Sequence, residues 1–455
     1  MGDLGRALLA VGAGDRAASF ELFSESLDPE WIAQALAATD TATVRRRKLP
    51  AEYVVWLVIG MALFRDRSIR EVVRHLDLVL PGAGGRRTVS GSAIAQARTR
   101  LGPQPLQVLF AQAAAAWGPA AADAERWRGL AVFGVDGTTL RVPDTDANDA
   151  HFGRVPTRWA STGGYPLTRV VALMVLRAHL LVGVAHGAYR DSELALAEPL
   201  WAQLPDASLV ILDREFAVYA LYHRLAAPAR QRHWLTRAKT GKTALRSRVV
   251  ERLGRDDHLV DLLPSHQTRR DNAPLPPTLR VRAIRYRRKG FRPQTLLTSL
   301  LDPVAYPAAE LVALYHERWE LELGFDEVKT HTLEREEALR SQTPARITQE
   351  LFGLAIGYNL VRLAMARVAT RARVPPVRIS FRHALQFIRI FWLTAWDASP
   401  GVLPRRLEAL HDELALLLLP ERRPRAYPRA VKIKMSNYPR KRPRKRPRRQ
   451  RNSPK

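Results

Sequence analysis

The apolar residues between positions 30 and 125 recur with the spacing of α-helices. Residues 53–64 are apolar on most sides, which predicts a buried helix. Residues 69–80 carry apolar side chains on one face, and Ser90 is placed to cap a further helix that ends before Gly102. This part of the chain is therefore predicted to be helical.

Two of these short helices flank a glycine-rich turn at residues 81–85. That arrangement fits a helix-turn-helix with Arg98 and Arg100 facing DNA. A helical bundle with solvated arginines fits the same pattern equally well, so both interpretations stay open.

Downstream of these helices the pattern changes to the alternation and β-branched content of strands. Three such runs, residues 131–142, 169–176 and 179–188, predict an antiparallel meander. A short apolar strand at residues 209–212 and another near Trp234 follow, each preceded by a helical segment. This order predicts a mixed α/β fold.

Residues 240–300 interrupt the alternation of helices and strands. They contain several prolines and end in a hairpin pattern around Lys289-Gly290, which predicts an inserted β unit. A helix is expected at about residues 308–329, and further helical segments continue to Leu419.

Positive charge is concentrated at the carboxyl end of the 455-residue chain. The formal net charge is +28, and residues 421–455 hold 16 basic residues against one acidic residue. The rest of the chain has 51 Arg but only five Lys, so part of its charge can reflect genome base composition. The tail is too polar and proline-rich to fold alone. Such an excess favours a polyanionic partner.

The chain contains no Cys, which excludes disulfides, thiolate zinc sites, iron–sulfur clusters and Cys nucleophiles. Its first residues lack the pattern of a secretory signal, and its longest uncharged apolar run is too short to span a bilayer. We therefore expect a soluble, intracellular protein that has no membrane partner.

Two aspartates end predicted strands. Asp136 closes the first apolar strand and precedes Gly137, while Asp213 closes the strand at residues 209–212. Carboxylates at the carboxyl edge of a sheet lie where sites cluster, and two on neighbouring strands can share Mg²⁺ or Mn²⁺. Capping a turn is the commoner role of a single strand-end Asp, so the pair carries more weight than either residue.

The predicted helix at residues 308–329 carries Tyr315, Arg318, Glu322 and Lys329. At about 100° per residue these four side chains fall on one strip about 60° wide, beside an apolar stripe. A solvated strip of salt bridges is the alternative, since Arg318 and Glu322 stand four residues apart. The rarity of Lys in this Arg-rich chain argues against that alternative.

The segment YHERWELELGFDEVK resembles the Tyr-Arg-Glu-Lys signature of bacterial insertion-sequence DDE transposases of the insertion-sequence-4 type. The segments VDGTTLRVPDT and ILDREF are similar to that family's two aspartate motifs. The resemblance covers roughly residues 45–435. It implies an α/β fold whose ribonuclease-H-like mixed-sheet catalytic core contains an inserted β unit.

The resemblance also implies a role for each signature residue. The implied catalytic residues and metal ligands are Asp136, Asp213 and Glu322. The implied phosphate-binding residues are Tyr315, Arg318 and Lys329. Two divalent cations, Mg²⁺ or Mn²⁺, suit phosphodiester attack because they serve both the attacking and the leaving oxygen.

Together these interpretations divide the chain into six parts. An N-terminal helical, DNA-end-binding domain is expected at residues 1–125, and the two parts of the core at residues 126–239 and 301–370. The remaining parts are the inserted β unit at 240–300, a C-terminal helical segment at 371–420 and a basic disordered tail at 421–455.

Other residues are weaker candidates. Glu215 could be an additional metal ligand, but its position favours a surface residue. Asp326 is the alternative metal ligand if Glu322 proves dispensable. Some relatives grip a flipped base with a tryptophan of the inserted unit, which has none here. Phe291 is a weak replacement, and Trp319 is expected to pack beside the signature helix.

Four arginines alternate along the predicted hairpin: Arg280, Arg282, Arg285 and Arg287. Each successive pair shares a face, which would suit a phosphate track. Solvated arginines explain the same pattern equally well.

The predicted function is that of a DNA transposase that cuts the ends of an insertion sequence and inserts it into target DNA by a cut-and-paste route through a hairpin. Its expected partners are double-stranded DNA, as terminal inverted repeats and as target, and a second copy in a homodimer. It would act in the bacterial cytoplasm, associated with the nucleoid. The alternatives are a ribonuclease-H-like nuclease without strand transfer and a non-catalytic basic DNA-binding protein.

Overall fold

The computed structural model describes residues 26–42, 49–79, 89–155, 164–226, 228–271, 274–288, 291–334, 338–394 and 402–420. The turn at residues 81–85, the hairpin turn at Lys289-Gly290 and the tail from residue 421 lie outside these ranges. The expectations for those three segments therefore stay predictions.

Helices fill the amino-terminal part of the described chain, as predicted. They are α1 (Pro29–Ala38), α2 (Ala51–Leu63), α3 (Ile69–Val79), α4 (Gly91–Leu101) and α5 (Gln104–Asp123). Helix α2 is buried along nearly its whole length because its sequence is apolar on every side. Ser90 caps α4 by accepting a hydrogen bond from the N–H of Ala93 at 3.2 Å.

Nine described strands form one mixed sheet. They are β1 (Ala131–Arg141), β2 (Leu167–Val175), β3 (Leu180–Ala188), β4 (Ser208–Leu212), β5 (Arg232–Arg237), β6 (Arg246–Gly254), β7 (Asp257–Leu263), β8 (Leu279–Tyr286) and β9 (Gln294–Thr298). Their order across the sheet is β3-β2-β1-β4-β5-β9-β8-β7-β6.

The core of the sheet has the predicted mixed α/β order. Strands β1, β2 and β3 form the antiparallel meander, and β4 and β5 then add to β1 in parallel. Short helices lie in the connections: α6 (Asp146–Phe152), α7 (Glu193–Ala197) and α8 (Tyr219–Leu225). Because β1, β4 and β5 run the same way, their carboxyl ends meet at one edge of the sheet.

The inserted segment extends this sheet. Strand β9 pairs with β5, and β8, β7 and β6 follow outward, with the short helix α9 (His266–Asp271) between β7 and β8. The predicted hairpin corresponds to β8 and β9, which pair antiparallel from Arg282 to Tyr286.

Two of the four hairpin arginines pair with carboxylates of β7, and the burial of Arg282 rules out a phosphate track along all four. The side chain of Arg282 is fully buried and pairs with Asp257 at 2.6 Å. Arg280 pairs with Asp261 at 2.5 Å across β7 and β8. Alternation along a strand places side chains on faces but does not reveal an acidic partner on the neighbouring strand. Arg285 and Arg287 are exposed.

The carboxyl-terminal half returns to helices: α10 (Ala308–His316), α11 (Trp319–Asp326), α12 (Pro344–Ala372), α13 (Phe381–Thr394) and α14 (Leu403–Leu416). Helix α12 has 29 residues and is long and apolar enough to cross a membrane, but 83% of its most apolar window is buried inside the protein. It is thus the central core helix. Gly353 lets α2 approach closely, since an added Cβ would lie 3.0 Å from the carbonyl oxygen of Val58.

Arg98 does not face DNA, which corrects the helix-turn-helix interpretation at that residue. Its side chain points from α4 into the protein, where Nε donates to Gln349 and Nη2 to Ser341, each at 2.8 Å. Burial lowers the pKa of this guanidinium, and the charge of Glu350 opposes that effect. Arg100 is exposed, as either interpretation required.

Candidate active site

The parallel strands place three charged residues side by side. Strands β1, β4 and β5 are in register at Val135, Leu212 and Thr236. The next residues along the three strands are Asp136, Asp213 and Arg237. Because side chains alternate along extended chain and registered neighbours share a face, these three point to the same face of the sheet. The sequence predicted the two aspartates here but not the arginine.

Asp136 is partly buried, with a side chain that is 17% exposed. Burial raises the pKa of its carboxyl group to about 6, although the N–H of Gly137, 2.8 Å from Oδ1, and the charge of Arg318 favour the ionised form. The negative charges of Asp213 and Glu193 raise the pKa further. The site therefore has a negative potential that a cation would relieve.

The signature segment is not one continuous helix, which corrects the prediction for residues 308–329. A tight turn separates α10 from α11, where the N–H of Arg318 donates to the carbonyl of Tyr315 at 3.2 Å. A π-helical turn, Glu327–Thr332, then follows α11. Three-residue and five-residue hydrogen bonding change the angle between successive side chains, so a constant 100° per residue does not describe the whole segment.

Helix α11 nevertheless carries its residues to the strand ends. It packs against β1 at Gly134, where an added Cβ would lie 2.7 Å from Leu321 Cδ1. Gly134 precedes Asp136 by two residues and shares its face of the sheet. The absence of a side chain at Gly134 thus lets α11 lie close enough for its polar residues to reach Asp136.

Arg318 joins two of the predicted triad residues. Its Nη2 lies 2.7 Å from Glu322 Oε1, and its Nη1 lies 3.5 Å from Asp136 Oδ2. Burial alone would lower the pKa of this guanidinium, but the hydrogen bond to Glu322 and the charge of Asp213 raise it. Its place among these carboxylates is the one that a cation would favour.

The three carboxylates have the right chemistry for a divalent cation, but their side chains are not close enough together in this structure to bind one jointly. Within the described ranges, no three His, Cys, Asp or Glu side chains are close enough to hold a metal ion together. Asp136, Asp213 and Glu322 offer only oxygen ligands, as Mg²⁺ and Mn²⁺ prefer. Arg318 lies between two of these carboxylates and supplies the neutralising charge.

Tyr315 lies at the end of α10 and is 5% exposed. Burial raises the pKa of its hydroxyl group to about 12, and the positive charges of Arg318 and Arg237 partly offset that effect. Asp213 also acts on this hydroxyl group electrostatically. Arg318 therefore links Glu322 to Asp136, and Tyr315 and Asp213 lie within electrostatic range of it.

Lys329 lies further along, on the π-helical turn. A buried polar cluster holds this turn: Glu327 accepts a hydrogen bond from the hydroxyl of Tyr358 at 2.8 Å and faces His179 at 3.2 Å. Burial would raise the pKa of Glu327, but the charges of Arg362 and His179 overcome it and lower the pKa to about 2. An ionised Glu327 thus ties the turn to α12.

Glu193, on α7, is a further carboxylate that the sequence analysis missed. It lies against Gly137 so closely that a Cβ there would overlap its carboxyl group unless the Glu193 side chain moved. Arg169 Nη1 donates to it at 2.6 Å. In the sequence, Glu193 follows the helix cap Ser192 and belongs to no recognisable motif, so nothing pointed to a role in the site.

The weaker candidates lie outside this cluster. Glu215 is exposed and faces Arg214, as expected of a surface residue. Asp326 accepts a hydrogen bond from Thr330 at 2.6 Å on the exposed side of α11. Phe291 is half-buried. The side chain of Trp319 is 43% exposed, whereas packing beside the signature helix would have left it less exposed.

Comparison with known proteins gives the family. Two family models match the chain, the insertion element 4 transposase N-terminal model at residues 17–111 and the transposase DDE domain model at residues 127–360. The transposase InsG for insertion sequence element IS4, from Escherichia coli (strain K12), is 37% identical over 415 residues, 91% of this chain and 92% of that protein. The chain belongs to the insertion-sequence-4 family of DDE transposases.

Two other proteins are similar to this chain over different lengths. The putative transposase InsZ of the same Escherichia coli strain is 34% identical over 278 residues, 59% of this chain and 90% of that protein. A solved piggyBac transposase synaptic complex with hairpin DNA matches 89% of this chain and 86% of its own, with 11% identity and a TM-score of 0.43. The family membership confirms a ribonuclease-H-like core and an enzyme that cleaves DNA. Divalent metal ions are general to DDE transposases.

Proposed function

We propose that this transposase cuts both ends of an insertion sequence and joins them to target DNA by a cut-and-paste route that passes through a hairpin. The observation that carries the proposal is the meeting of Asp136, Asp213, Arg318 and Glu322 at one edge of the sheet. Three elements that are distant in sequence supply these residues, and their chemistry is that of phosphodiester cleavage.

Asp136, Asp213 and Glu322 would hold two divalent cations, Mg²⁺ or Mn²⁺. When bound, such ions lower the pKa of an attacking water or 3′-OH and stabilise the leaving oxygen. Arg318 would then release Glu322 and turn its guanidinium to the phosphate, to which it can donate two hydrogen bonds. In this proposal, Arg318 keeps the carboxylates neutralised until DNA and metal arrive.

Tyr315 and Lys329 would complete the grip on the phosphates. The hydroxyl of Tyr315 is protonated at neutral pH, as that of tyrosine ordinarily is, and burial, which raises its pKa to about 12, extends the protonated range to higher pH. It would therefore donate a hydrogen bond to phosphate. Lys329, held on the π-helical turn, would supply a point charge to an adjacent oxygen.

The partners follow from this reaction. Double-stranded DNA would bind as the terminal inverted repeats and as the target, and a homodimer would bridge the two ends of the element. Because its substrate would be chromosomal DNA, the enzyme would act in the bacterial cytoplasm, associated with the nucleoid. The division of the chain into a DNA-end-binding domain at residues 1–125 and a core interrupted at residues 240–300 is part of the same proposal.

Single substitutions test the triad. We expect Asp136→Ala, Asp213→Ala and Glu322→Ala each to abolish Mg²⁺-dependent cleavage of a labelled element end, with end binding retained in a mobility-shift assay. Glu215→Ala is the matched control, since this exposed carboxylate is two residues from Asp213. Full cleavage by any of the three variants would reject the triad.

A plasmid excision assay separates the functional alternatives. Excision followed by insertion into a target plasmid supports a transposase. Cleavage without insertion would indicate a nuclease of the same fold, and binding without cleavage would indicate a DNA-binding protein.

A further inference from the structure

Arg237 ends strand β5 in the row that Asp136 and Asp213 begin. Its side chain is half-buried, and it makes no hydrogen bond or ion pair with any residue in the described part of the chain. Other half-buried arginines of the core have carboxylate partners, as in Arg169 with Glu193 and Arg177 with Glu317. A partly desolvated charge without a partner is costly unless a ligand compensates it.

Arg288 provides a second guanidinium of the same kind. It follows β8, is half-buried, and likewise has no polar side-chain partner among the described residues. Arg237 and Arg288 both act electrostatically on Tyr286: burial raises the pKa of this tyrosine, and the two positive charges oppose that effect. The strand pairing agrees with this, since Leu296 of β9 pairs with Arg237 on one side and on the other with Ile284, two residues before Tyr286.

This pair of arginines adjoins the candidate active site. The ring of His316 lies between Tyr286 and Tyr315, with centroids at 5.9 Å and 6.3 Å. The Nε2 atom of His316 is buried and has no hydrogen-bond partner within the described structure. Arg237 neighbours Asp213 in the strand register, both charges act on Tyr315, and Arg288 acts on His316.

We propose that Arg237 and Arg288, with Tyr286 and His316 beside them, form a second phosphate subsite that binds a DNA backbone phosphate next to the bond that is cut. The subsite rests on the proposed function, and it does not include Arg318, which is already paired with Asp136 and Glu322. Two guanidinium groups suit a phosphodiester because each can donate two parallel hydrogen bonds. Its role is to fix the strand so that the cut phosphate meets the triad.

The subsite can be located by replacing the DNA phosphates one at a time with an uncharged analogue. The probe is a duplex of the inverted repeat that flanks the gene, with each phosphate around the cut replaced in turn by a methylphosphonate. Binding is measured by fluorescence anisotropy without divalent cations, so that cleavage does not interfere. We expect Arg237→Gln to weaken binding about tenfold and to lower the salt slope by about one.

The decisive result is coupling between protein and DNA. At one methylphosphonate position the affinity of the wild-type protein should fall by about tenfold, the same factor that Arg237→Gln causes with unmodified DNA. The affinity of Arg237→Gln should not fall further at that position. Arg288→Gln should couple to the same or the neighbouring phosphate. Arg230→Gln is the matched control: this exposed arginine pairs with Asp206 near the opposite end of β5 and should couple to no phosphate there.

Three outcomes overturn the subsite: wild-type affinity of Arg237→Gln, additive losses at every phosphate position, or no binding of the duplex by the wild-type protein. Arg237→Lys guards against misfolding, since it keeps the charge and should recover part of the affinity and of the salt slope. The proposed function has a separate readout, namely cleavage by the wild-type protein when Mg²⁺ is added. A protein that shows the coupling but does not cleave would keep the subsite and lose the transposition mechanism.

Discussion

Burial of Asp136 at the candidate site costs stability whenever its carboxyl group is ionised. In the unfolded chain its carboxyl group ionises with a pKa near 3.8, whereas burial raises that pKa to about 6 in the folded protein. The folded protein thus binds the proton more tightly, so stability falls as the pH rises from about 4 through 6. Above that window the ionised group destabilises the fold by about 3 kcal/mol.

We therefore expect Asp136→Asn to stabilise the metal-free protein at pH 8 by about 2 kcal/mol, because the amide removes a buried charge of like sign with Asp213. The gain should shrink as the pH falls towards 4, where the wild-type carboxyl group is protonated. Thermal unfolding in chelator at several pH values measures this difference. Glu215→Gln, at an exposed position, should show no such trend. A lower unfolding midpoint for Asp136→Asn at pH 8 would contradict the interpretation.

At the scale of elements, the π-helical turn gives Lys329 its own support. Glu327, two residues before it, is bound from three sides by Tyr358, His179 and Arg362, at 2.8, 3.2 and 3.6 Å. These partners come from α12 and from the turn between β2 and β3. The cluster thus fixes the turn to two other elements, and π-helical turns frequently occur at functional sites.

A double-mutant cycle tests whether this cluster acts through Lys329. Tyr358→Phe removes the hydrogen bond to Glu327, and we expect about a tenfold slower single-turnover cleavage. In a Lys329→Ala background the same change should have no further effect, since the turn then carries no functional amine. Tyr53→Phe removes a buried hydrogen bond of the same 2.8 Å length in the N-terminal helices and should leave cleavage unchanged. Equal effects of Tyr358→Phe in both backgrounds would assign the cluster a structural role alone.

At the scale of the whole molecule, positive charge is divided between a body and a tail. Several body arginines are engaged inside the fold, as Arg98 and Arg282 are. The tail from residue 421 holds 16 basic residues and one acidic residue. Phosphate affinity that does not depend on sequence is therefore expected to come largely from the tail.

Deletion of residues 440–455 should weaken DNA binding and flatten its dependence on salt, because fewer counterions are released from the DNA. Catalysis on bound ends should persist, since the triad lies in the described core. Affinity measured at several salt concentrations gives the slope, and single-turnover cleavage at saturating protein serves as the control. An unchanged slope would show that the tail does not contact DNA.

The sequence by itself determined the family and most of the order of helices and strands, and it named Asp136, Asp213 and Glu322 as candidate site residues. Runs of apolar residues that end in Asp136 and Asp213, and four signature residues at fixed spacing, are local patterns, and local patterns can be read without coordinates. It also predicted the buried α2, because a helix that is apolar on every side must be enclosed.

The tertiary structure alone decided which side chains meet. Arg98, Arg280 and Arg282 read as solvent-facing in the sequence, yet they bind partners that are distant in the chain or lie on a neighbouring strand. Arg237 became part of the site only when β5 joined β4. Contacts between distant segments depend on strand order and helix packing, which single-sequence periodicity does not contain. Hence the pattern named Asp136 and Glu322, and only the packing of α11 on Gly134 brought them together.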